Sequence, residues 1–552
     1  MNRITGRSAF LTLLKDEGIT HLFGNPGTTE LPIMHALKDH PDLTYVLGLQ
    51  EAIVVAMADG FSRASGQLVA CNVHVAPGLG NAMGSLFNAK FTGTPIILTA
   101  GQQEQGHGLT EPLLYDSLVP IATPLVKWAV EVTRLEDLPR IVRRAAKVAM
   151  TPPTGPVFLS LPGDILNAEA GIDLAASTRV DTRSRPSDQM LEALAKRMLK
   201  AERPVIVVGD ETVKSDALEA AAKFAQTLGA PVYQQSVAYG AHFLSEHACY
   251  MGSLSRDQKQ VRAVLANYDL LIALGTDPVR MSVWSEVEPL PDSMPIVHIG
   301  LIDWDMGKNY PAEMAVRADL AETLMVLSPL LAKLGGNRLA AQAEAAIAGF
   351  ASGNWSAKRR ELAQRFAGRA KTTPIDPDWL TLQLAEALPR DAVVVNEGLT
   401  SSRHLNDLIA YRDRYGFHAL ASGGIGWGVP AAVGVALAQA PRQVLCYSGD
   451  GSAMYTIQAL WTAAHLKLPI TYVIANNGGY RIIKQRLKSF HGNDRFIGMD
   501  FADPKIDFAA LARSMGMPAE HIAEPDAVAP ALRRAFSTPG PKLLDVVVDG
   551  KV

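Results

Sequence analysis

Short apolar runs alternate with helix-like stretches over the first 165 residues of the chain. The runs HLFG, YVLGL, LVACNVH and PIILTAG end in glycine or histidine or are followed by a polar residue, which is typical of buried parallel strands. The stretches between them, such as EAIVVAMADGFSRAS and GNAMGSLFNAK, are typical of helices. This alternation predicts βαβ units and a parallel sheet.

The same alternation returns twice after the polar stretch ASTRVDTRSRPSDQ at 176–189. The runs PVIVVGD, DLLIALG and PIVHIG predict strands of a second sheet, and AVVVNEG, QVLCYSGD, PITYVIANN and KLLDVVVDG predict strands of a third. We therefore predict an α/β protein with three doubly wound, mainly parallel-sheet domains. The predicted boundaries are 1–170 for an N-terminal domain, 190–330 for a middle domain, 331–375 for a helical linker and 376–552 for a C-terminal domain.

Composition narrows the class of protein. The chain has 552 residues, 48% of them hydrophobic and 19% charged, which is an ordinary globular balance. A net charge of −3 provides no basic field for nucleic acid or an anionic membrane. Cys71, Cys249 and Cys446 lack metal-ligand spacing and predict reduced thiols. Asp16 and Glu17 interrupt any signal-peptide pattern, and no apolar run reaches the ~18–20 residues of a membrane span, so we expect a cytoplasmic protein.

One stretch of the third unit carries candidate chemistry at both ends. GDGSAMYTIQALWTAAHLKLPITYVIANNGGY places Asp450 between two glycines and Asn477 just after a predicted strand, with one predicted helix between them. Consecutive parallel strands end at the same edge of a sheet, where such sheets bind ligands. A carboxylate and an amide oxygen at that edge predict a Mg²⁺ or Ca²⁺ ion that bridges a diphosphate. The alternative is structural, with Asp450 capping a helix and Asn477 serving a turn.

This stretch resembles the thiamin-diphosphate motif, in which GDG is followed one βαβ unit later by NN. Other stretches are similar to benzoylformate decarboxylase and its relatives, namely FGNPGTTELP, LQEAIVVAMADGFSRASG, NVHVAPGLGNAMGSLFNA, TAGQQ, VNEGLTSS and GGIGWGVPAAVGVAL. The resemblance covers both outer domains and is only general in the middle domain. It implies the thiamin-diphosphate-binding fold, with a pyrimidine-binding N-terminal domain and a diphosphate-binding C-terminal domain. It also implies thiamin diphosphate with Mg²⁺ (or Ca²⁺), and an obligate homodimer, commonly assembled into a homotetramer, that acts on a 2-oxo acid or aldehyde.

The resemblance also implies a role for each matching residue. Glu51 would bind the aminopyrimidine of the cofactor, His74 would move protons, and Thr28 would contact the substrate carboxylate. Taken alone, Glu51 is more typical of a carboxylate at a helix N-terminus, and His74 is more typical of a structural histidine. The implied metal ligands are Asp450, Asn477 and the backbone carbonyl of Gly479. The implied cofactor-binding residues are Glu51, Asn25, Thr400, Gly423, Ile425, Gly451, Ser452, Asn477 and Tyr480.

Two of these positions would shape the cofactor itself. Ile425 matches the bulky apolar residue that bends thiamin diphosphate in this family. Gly423 matches the position whose backbone carbonyl orients the exocyclic amine of the aminopyrimidine.

The predicted substrate pocket departs from the family pattern. Benzoylformate decarboxylases take a second histidine from the middle domain, whereas GTDPVRMSVWSEV contains none and offers Ser282. Arg481 and Arg486 follow the NN motif and favour a polar or anionic substrate over benzoylformate. The alternative is that both arginines are solvated on a loop. VVGDETVKSD lacks a glycine-rich phosphate loop, and whether the middle domain binds a nucleotide stays open.

We therefore expect a thiamin-diphosphate- and Mg²⁺-dependent carboxy-lyase that converts a 2-oxo acid into an aldehyde without oxidation. The alternative is a carboligase or lyase that acts on aldehydes or 2-hydroxy ketones. A third hypothesis is a non-catalytic paralogue that binds the cofactor. The presence of Glu51, His74 and Asp450 argues against the third hypothesis.

Overall fold

The structure is a computed structural model that describes residues 3–552. It contains three six-stranded sheets and one two-stranded ladder. The chain divides into two compact units. Residues up to 180, 371–402 and 420–552 form unit 1, and residues 181–370 and 403–419 form unit 2. Unit 1 holds the first sheet and most of the third, and unit 2 holds the second sheet.

The first sheet is wholly parallel and has the order β3-β2-β4-β5-β7-β6. Its part of the chain contains the strands β1 (Ile4–Thr5), β2 (His21–Gly24), β3 (Thr44–Leu47), β4 (Val69–His74), β5 (Ile96–Gln102), β6 (Ala129–Glu131), β7 (Val157–Pro162) and β8 (Glu169–Ala170). The helices are α1 (Gly6–Asp16), α2 (Leu31–Leu37), α3 (Glu51–Ser65), α4 (Val75–Thr92), α5 (Gln105–Gly108), α6 (Leu118–Ala122), α7 (Leu138–Met150) and α8 (Gly163–Asn167). β1 and β8 pair antiparallel outside the sheet.

The second sheet is also parallel, with the order β11-β10-β9-β12-β13-β14. Its strands are β9 (Pro204–Val208), β10 (Val232–Gln234), β11 (Tyr250–Ser253), β12 (Leu270–Leu274), β13 (Ile296–Gly300) and β14 (Met314–Arg317). The helices are α9 (Asp188–Met198), α10 (Glu211–Lys214), α11 (Leu218–Leu228), α12 (Gln258–Leu265), α13 (Leu320–Phe350) and α14 (Trp355–Ala367). The long helix α13 is kinked at Gly336, whose φ is 55°. Within residues 3–552, no helix combines the length and the apolar character needed to cross a membrane.

The third sheet has the order β16-β15-β17-β18-β20-β19. Its strands are β15 (Val393–Glu397), β16 (Phe417–Ala419), β17 (Val444–Gly449), β18 (Ile470–Asn476), β19 (Ala519–Ile522) and β20 (Lys542–Val547). The helices are α15 (Pro377–Ala387), α16 (Leu405–Leu408), α17 (Gly428–Ala438), α18 (Asp450–Ala453), α19 (Ala459–His465), α20 (Arg481–His491), α21 (Phe508–Ser514) and α22 (Pro525–Ser537). The pairs β15–β17, β17–β18, β18–β20 and β19–β20 are parallel. The predicted α/β class with three mainly parallel sheets is therefore confirmed.

Helix α3 has well-defined ends that the sequence encodes. The side-chain oxygen of Gln50 accepts hydrogen bonds from the N–H groups of Ala52 at 2.7 Å and Ile53 at 3.3 Å. The helix ends at Gly66, which adopts the left-handed conformation with φ 70°. Glu51 is thus the first residue of α3, shortly after the carboxyl end of β3.

Helices α3 and α17 cross at unusually short range within unit 1. A Cβ atom at Gly60 would lie 2.3 Å from the carbonyl oxygen of Ala431, and one at Gly434 would lie 1.9 Å from that of Met57. Only glycine can occupy these positions without displacing the other helix. The crossing buries residues of both helices in one hydrophobic core.

The segment after Asp450 differs from its prediction. The structure has two short helices, α18 and α19, where the spacing predicted one. Between them the N–H groups of Tyr455 and Thr456 bond to carbonyls three residues earlier rather than four. The Thr456 hydroxyl also donates to the carbonyl of Gly426 at 2.7 Å. This long-range bond favours a turn that local periodicity does not reveal.

Candidate active site

Asp450 lies at the carboxyl end of β17, beside the loop that follows β18. The two strands pair in parallel with Gly449 opposite Ala475, so both end at the same edge of the sheet. Asp450 Oδ1 accepts a hydrogen bond from the N–H of Gly451 at 2.8 Å, and Oδ2 accepts one from Gly479 at 3.1 Å. The GDG and NN segments therefore meet at this edge.

Burial changes the acidity of Asp450. The residue is only 2% exposed. Loss of water raises the pKa of its carboxyl to about 6, although the backbone N–H groups of Gly451 and of the turn 477–479 oppose that rise. A nearby cation would stabilise this carboxylate, because a buried charge without a partner is costly.

The oxygen atoms around Asp450 fit a hard divalent cation. The side-chain amide of Asn477 makes no hydrogen bond to any residue in the range 3–552. The carbonyl of Gly479 accepts one bond, from the Arg481 N–H at 3.0 Å, and keeps a second lone pair. The described part of the chain has no cluster of three or more His, Cys, Asp or Glu side chains suited to a metal. A cation held here would therefore also need oxygens from water or from a bound ligand.

Three further predicted cofactor-binding residues border Asp450. Gly451 allows close approach, because a Cβ atom there would lie 2.7 Å from a ring carbon of Tyr480. The Tyr480 ring meets Phe501 edge-on, with the ring centroids 4.8 Å apart. Ser452 is buried in α18.

The remaining predicted cofactor-binding residues of the third sheet lie on two other loops. Thr400 is partly buried in the 3₁₀ turn Leu399–Ser402 that follows β15. Gly423 and Ile425 lie between β16 and α17, where Gly423 is exposed with φ 85° and Ile425 is partly buried.

Glu51 is held by two asparagines at the edge of the first sheet. Its Oε1 accepts a hydrogen bond from Asn25 Nδ2 at 3.2 Å, and its Oε2 accepts one from Asn81 Nδ2 at 3.1 Å. A Cβ atom at Gly78 would lie 3.2 Å from Oε1, so the carboxylate also packs closely on helix α4. The structure thus brings Glu51 and Asn25 together as predicted residues and adds Asn81.

His74 is held by Glu30, a residue that sequence reasoning did not single out. His74 Nδ1 lies 2.8 Å from Glu30 Oε2 and 3.1 Å from Thr29 Oγ1. Glu30 is fully buried and also accepts hydrogen bonds from the N–H groups of Gly27 at 2.9 Å and Gly101 at 2.8 Å. A carboxylate accepts, so His74 donates its Nδ1 proton to Glu30, and the Nε2 atom is left for other partners.

Thr28 begins the short 3₁₀ turn Thr28–Glu30 and is exposed. The buried carboxylate of Glu30 fixes this turn through Gly27. Nothing in the local sequence indicated that Glu30 would be buried or that its partner would be His74.

The predicted residues form two separate groups. The side-chain hydrogen bonds of Glu51 and His74 stay within residues 25–81. Those of Asp450 stay within residues 451–479. One group borders the first sheet and the other borders the third.

The residues predicted to line the substrate pocket belong to two units, with Arg481 and Arg486 on helix α20 of unit 1. Arg481 donates through Nε to the carbonyl of Lys551 at 3.0 Å. Arg486 is exposed and its guanidinium lies 5.6 Å from the ring centre of Phe490. Ser282 belongs to unit 2 and is exposed there.

Three protein-family models match the chain. They describe the N-terminal binding domain of thiamine pyrophosphate enzymes over residues 4–113, the central domain over 191–327 and the C-terminal binding domain over 400–546.

Individual relatives match over nearly the whole chain. Benzoylformate decarboxylase from Pseudomonas aeruginosa is 33% identical over 548 residues, which cover 98% of both chains. Glyoxylate carboligase from Escherichia coli O157:H7 is 24% identical and covers 100% of this chain and 93% of its own. Among solved structures, the thiamine diphosphate-dependent 4-hydroxybenzoylformate decarboxylase of Rhodococcus jostii superposes with a TM-score of 0.87 at 29% identity over 99% of both chains.

Identity of this extent over the full length, on the same three-sheet fold, confirms the resemblance that the motifs indicate: the chain belongs to the thiamine-pyrophosphate-dependent decarboxylase family, among the enzymes that resemble benzoylformate decarboxylase.

Proposed function

We propose that the chain is a Mg²⁺-dependent enzyme that uses thiamin diphosphate to decarboxylate a 2-oxo acid, without oxidation, to an aldehyde. The observation that carries this proposal is the hydrogen bond from the Gly479 N–H to Asp450 Oδ2. It holds the buried carboxylate against the backbone of the turn 477–479, in which the Asn477 side chain makes no hydrogen bond within residues 3–552. Relatives named benzoylformate decarboxylase and 4-hydroxybenzoylformate decarboxylase support the same reaction class.

Each end of the cofactor has candidate partners in this proposal. Asp450, Asn477 and the Gly479 carbonyl would hold Mg²⁺, which neutralises the diphosphate. The remaining contacts on the third sheet would come from Thr400, Gly423, Ile425, Gly451, Ser452 and Tyr480. Asn25 and Glu51 would contact the aminopyrimidine.

When bound, thiamin diphosphate supplies a nucleophilic carbon that can attack the carbonyl carbon of a 2-oxo acid. The contribution of Glu51 is to hold or release a proton at the aminopyrimidine nitrogen. Hydrogen bonds from Asn25 and Asn81 fix the plane of its carboxylate for that purpose. His74 Nε2 would exchange a proton with the reacting substrate, because Nδ1 is already committed to Glu30. The Thr28 hydroxyl would donate a hydrogen bond to the substrate carboxylate.

Several broader features belong to the same proposal. The two residue groups would meet as one site across a homodimer, which could assemble further into a homotetramer. The domain boundaries 1–170, 190–330, 331–375 and 376–552, and a cytoplasmic location, are predictions of the same kind.

The direct test is to identify what the enzyme adds to its cofactor. The protein is mixed with thiamin diphosphate, Mg²⁺ and a panel of 2-oxo acids with aromatic, aliphatic or anionic side chains. The mixture is then quenched in acid. We expect a covalent cofactor adduct of the corresponding mass, and release of the aldehyde, with at least one class. Absence of both products across the panel, from protein that binds the cofactor, would overturn the proposal. A preference for uncharged aromatic side chains would contradict the predicted role of Arg481 and Arg486.

The variant Glu51→Gln tests the proposed role of Glu51 in proton transfer. It should slow adduct formation by roughly 10²–10⁴-fold, the usual contribution of a positioned proton-transfer group. Glu131→Gln is the control, since Glu131 is a partly buried carboxylate on β6 that accepts a hydrogen bond from Ser160 Oγ at 2.8 Å. Near-full activity of Glu51→Gln would refute the assigned role.

A second candidate function is carboligation, in which the cofactor-bound fragment is joined to a second aldehyde. The similarity to glyoxylate carboligase over the whole chain supports carboligation as an alternative activity. Adding an acceptor aldehyde to the same reaction distinguishes decarboxylation from carboligation. Efficient formation of a 2-hydroxy ketone, with little free aldehyde, would favour the carboligase.

A further inference from the structure

The loop 421–428 carries the two residues proposed to shape the cofactor, Gly423 and Ile425. Gly423 has φ 85° and Gly426 has φ 96°, both in the left-handed region. A glycine-rich loop of this kind has many accessible conformations in isolation. Its observed shape must therefore come from contacts outside the loop.

Glu397 holds the C-terminal end of this loop. It is the last residue of β15 and is 1% exposed. Its Oε1 accepts the N–H of Gly426 at 2.6 Å, and its Oε2 accepts the N–H of Gly428, the first residue of α17, at 2.5 Å. A Cβ atom at Gly428 would lie 2.9 Å from Glu397 Cβ, so the glycine permits this close approach. One carboxylate therefore fixes two converging backbone N–H groups.

Asp59 of helix α3 holds the loop from another side. Its Oδ2 accepts the indole N–H of Trp427 at 2.5 Å and the side-chain N–H of Asn88 at 2.9 Å. Asn88 in turn accepts, through Oδ1, the N–H groups of Ala421 at 3.4 Å and Ser422 at 3.3 Å. The start of the loop is thus hydrogen-bonded to Asn88 and its tryptophan to Asp59, and these two buried side chains are hydrogen-bonded to each other.

Thr456, in the segment that follows Asp450, also forms a hydrogen bond to the loop 421–428. Its hydroxyl donates to the carbonyl of Gly426 at 2.7 Å. Both polar groups of the Gly426 backbone are therefore occupied, the N–H by Glu397 and the carbonyl by Thr456.

We propose that Glu397 is a positioning residue for the cofactor, which fixes the loop 421–428 so that the Gly423 carbonyl and the Ile425 side chain meet the aminopyrimidine half of thiamin diphosphate. This inference rests on the proposed cofactor contacts of Gly423 and Ile425. In this proposal, Glu397 acts through the loop and does not contact the cofactor.

The chemistry of the site explains why the residue is a carboxylate. Burial raises the pKa of the Glu397 carboxyl to about 7, and the N–H groups of Gly428, Gly426 and Trp427 oppose that rise because they favour the charged form. A carboxylate offers one acceptor oxygen to Gly426 and the other to Gly428. Glutamine has nearly the same shape but only one acceptor oxygen, and its NH₂ group would face one of the N–H donors. Glu397→Gln should therefore release one end of the loop without creating a cavity.

The experiment compares binding of two probes, thiamin diphosphate and inorganic diphosphate, each with Mg²⁺, by isothermal titration calorimetry. For Glu397→Gln we expect the dissociation constant of thiamin diphosphate to rise by about tenfold or more, since a buried N–H is left unpaired in the form that binds. The dissociation constant of Mg²⁺-diphosphate should stay within about twofold, because its proposed ligands do not belong to the loop. Hydrogen–deuterium exchange in the cofactor-free protein should accelerate within residues 421–428 and not elsewhere.

Glu211→Gln is the matched control. Glu211 is another buried glutamate that accepts two backbone N–H groups, those of Leu301 at 2.5 Å and Ile302 at 3.3 Å, and it lies in unit 2. It should leave the affinity for both probes within about twofold, because the N–H groups that Glu211 accepts do not belong to the loop 421–428. If Glu397→Gln does not fold, Thr456→Val releases the Gly426 carbonyl from the opposite side and should show the same selective loss.

Two results would overturn the inference. One is unchanged affinity of Glu397→Gln for thiamin diphosphate, and the other is an equal loss of affinity for both probes together with faster exchange throughout unit 1. These readouts measure cofactor binding and not turnover. They therefore stand apart from the test of decarboxylation, which can fail while this inference holds.

Discussion

Glu30 is the side chain that gives His74 its orientation. One fully buried carboxylate accepts hydrogen bonds from the turn before α2, from the end of β5 and from the imidazole. The ring is also packed on Gly27, where a Cβ atom would lie 2.2 Å from Nδ1. The imidazole is therefore restrained by both hydrogen bonding and steric contact.

Replacing Glu30 should affect turnover more than cofactor binding. In Glu30→Gln we expect kcat to fall by roughly 10–100-fold, since a fixed proton-transfer group contributes about 10²–10⁴-fold and only its positioning is disturbed. The dissociation constant for thiamin diphosphate should change by less than about threefold, because Glu51 keeps both of its asparagine partners. Steady-state kinetics and calorimetry measure the two quantities. A proportional loss of both would mean that Glu30 serves the fold alone.

Glu211 should give the stability of the protein a measurable pH dependence. Burial raises the pKa of its carboxyl from 4.5 to about 7, although the N–H groups of Leu301 and Ile302 and the charge of Lys214 oppose that rise. The folded state therefore binds this proton more tightly than the unfolded state. The resulting stabilisation is present below pH 4.5 and is lost as the pH rises through 7, on the order of 3 kcal/mol in total.

Glu211→Gln removes this titration. The thermal midpoint of the variant should improve relative to that of the natural protein as the pH is raised from 5 to 8. Parallel midpoint curves for the two proteins would contradict the assignment.

Some site residues could be found from the sequence because each directly follows a predicted strand and has a local pattern around it. Asp450 lies between glycines, and Glu51 opens an apolar helix. Glu30 and Asn81 have no such pattern, since their partners His74 and Glu51 lie 44 and 30 positions away. Only the folded chain shows these pairs.

The crossing of helices α3 and α17 depends on two glycines, Gly60 and Gly434, because any side chain at these positions would meet the backbone of the other helix. Gly434→Ala would place a methyl group 1.9 Å from the carbonyl oxygen of Met57. We expect the free energy of unfolding to fall by about 2–3 kcal/mol or more, because a packed helix pair cannot yield without losing its other contacts. Denaturant unfolding of the cofactor-free protein measures this.

Gly349→Ala is the matched control for that substitution. Gly349 lies inside α13, and a Cβ atom there would meet nothing within 4 Å. Alanine should stabilise this helix by roughly 0.5–1 kcal/mol. Equal effects of the two substitutions would show that the helix crossing imposes no steric demand.

The strands and the helix α3 follow from local sequence, whereas the turn after Asp450 does not. The predicted run HLFG and the strand β2 coincide at both ends, and the predicted helix EAIVVAMADGFSRAS coincides with α3. The break between α18 and α19 is associated with Thr456, whose hydroxyl bonds to Gly426, 30 positions earlier. Periodicity within one segment carries no information about such a distant partner.

The division of the proposed site residues into two groups predicts that each active site is shared between two subunits. Glu51 and Asp450 are proposed to act in one site but on different chains of the dimer. Glu51→Gln and Asp450→Ala should each be nearly inactive alone. When the two are unfolded together and reassembled, mixed dimers should restore about a quarter of full activity, since half of the dimers then hold one intact site of two. No recovery in confirmed mixed dimers would place both groups in one chain.

The core of unit 1 joins residues from distant parts of the chain, with Phe61 and Leu543 in the same cluster. Unit 2 is inserted between them. A ribosome adds about 5–20 residues per second, so α17 leaves it roughly 20–75 s after α3. During that time the face of α3 that packs on α17 in the folded protein, around Gly60 and Met57, stays uncovered, although α4 is already available to the rest of the helix. The nascent chain therefore carries one apolar face of α3 without its final partner through most of its own synthesis.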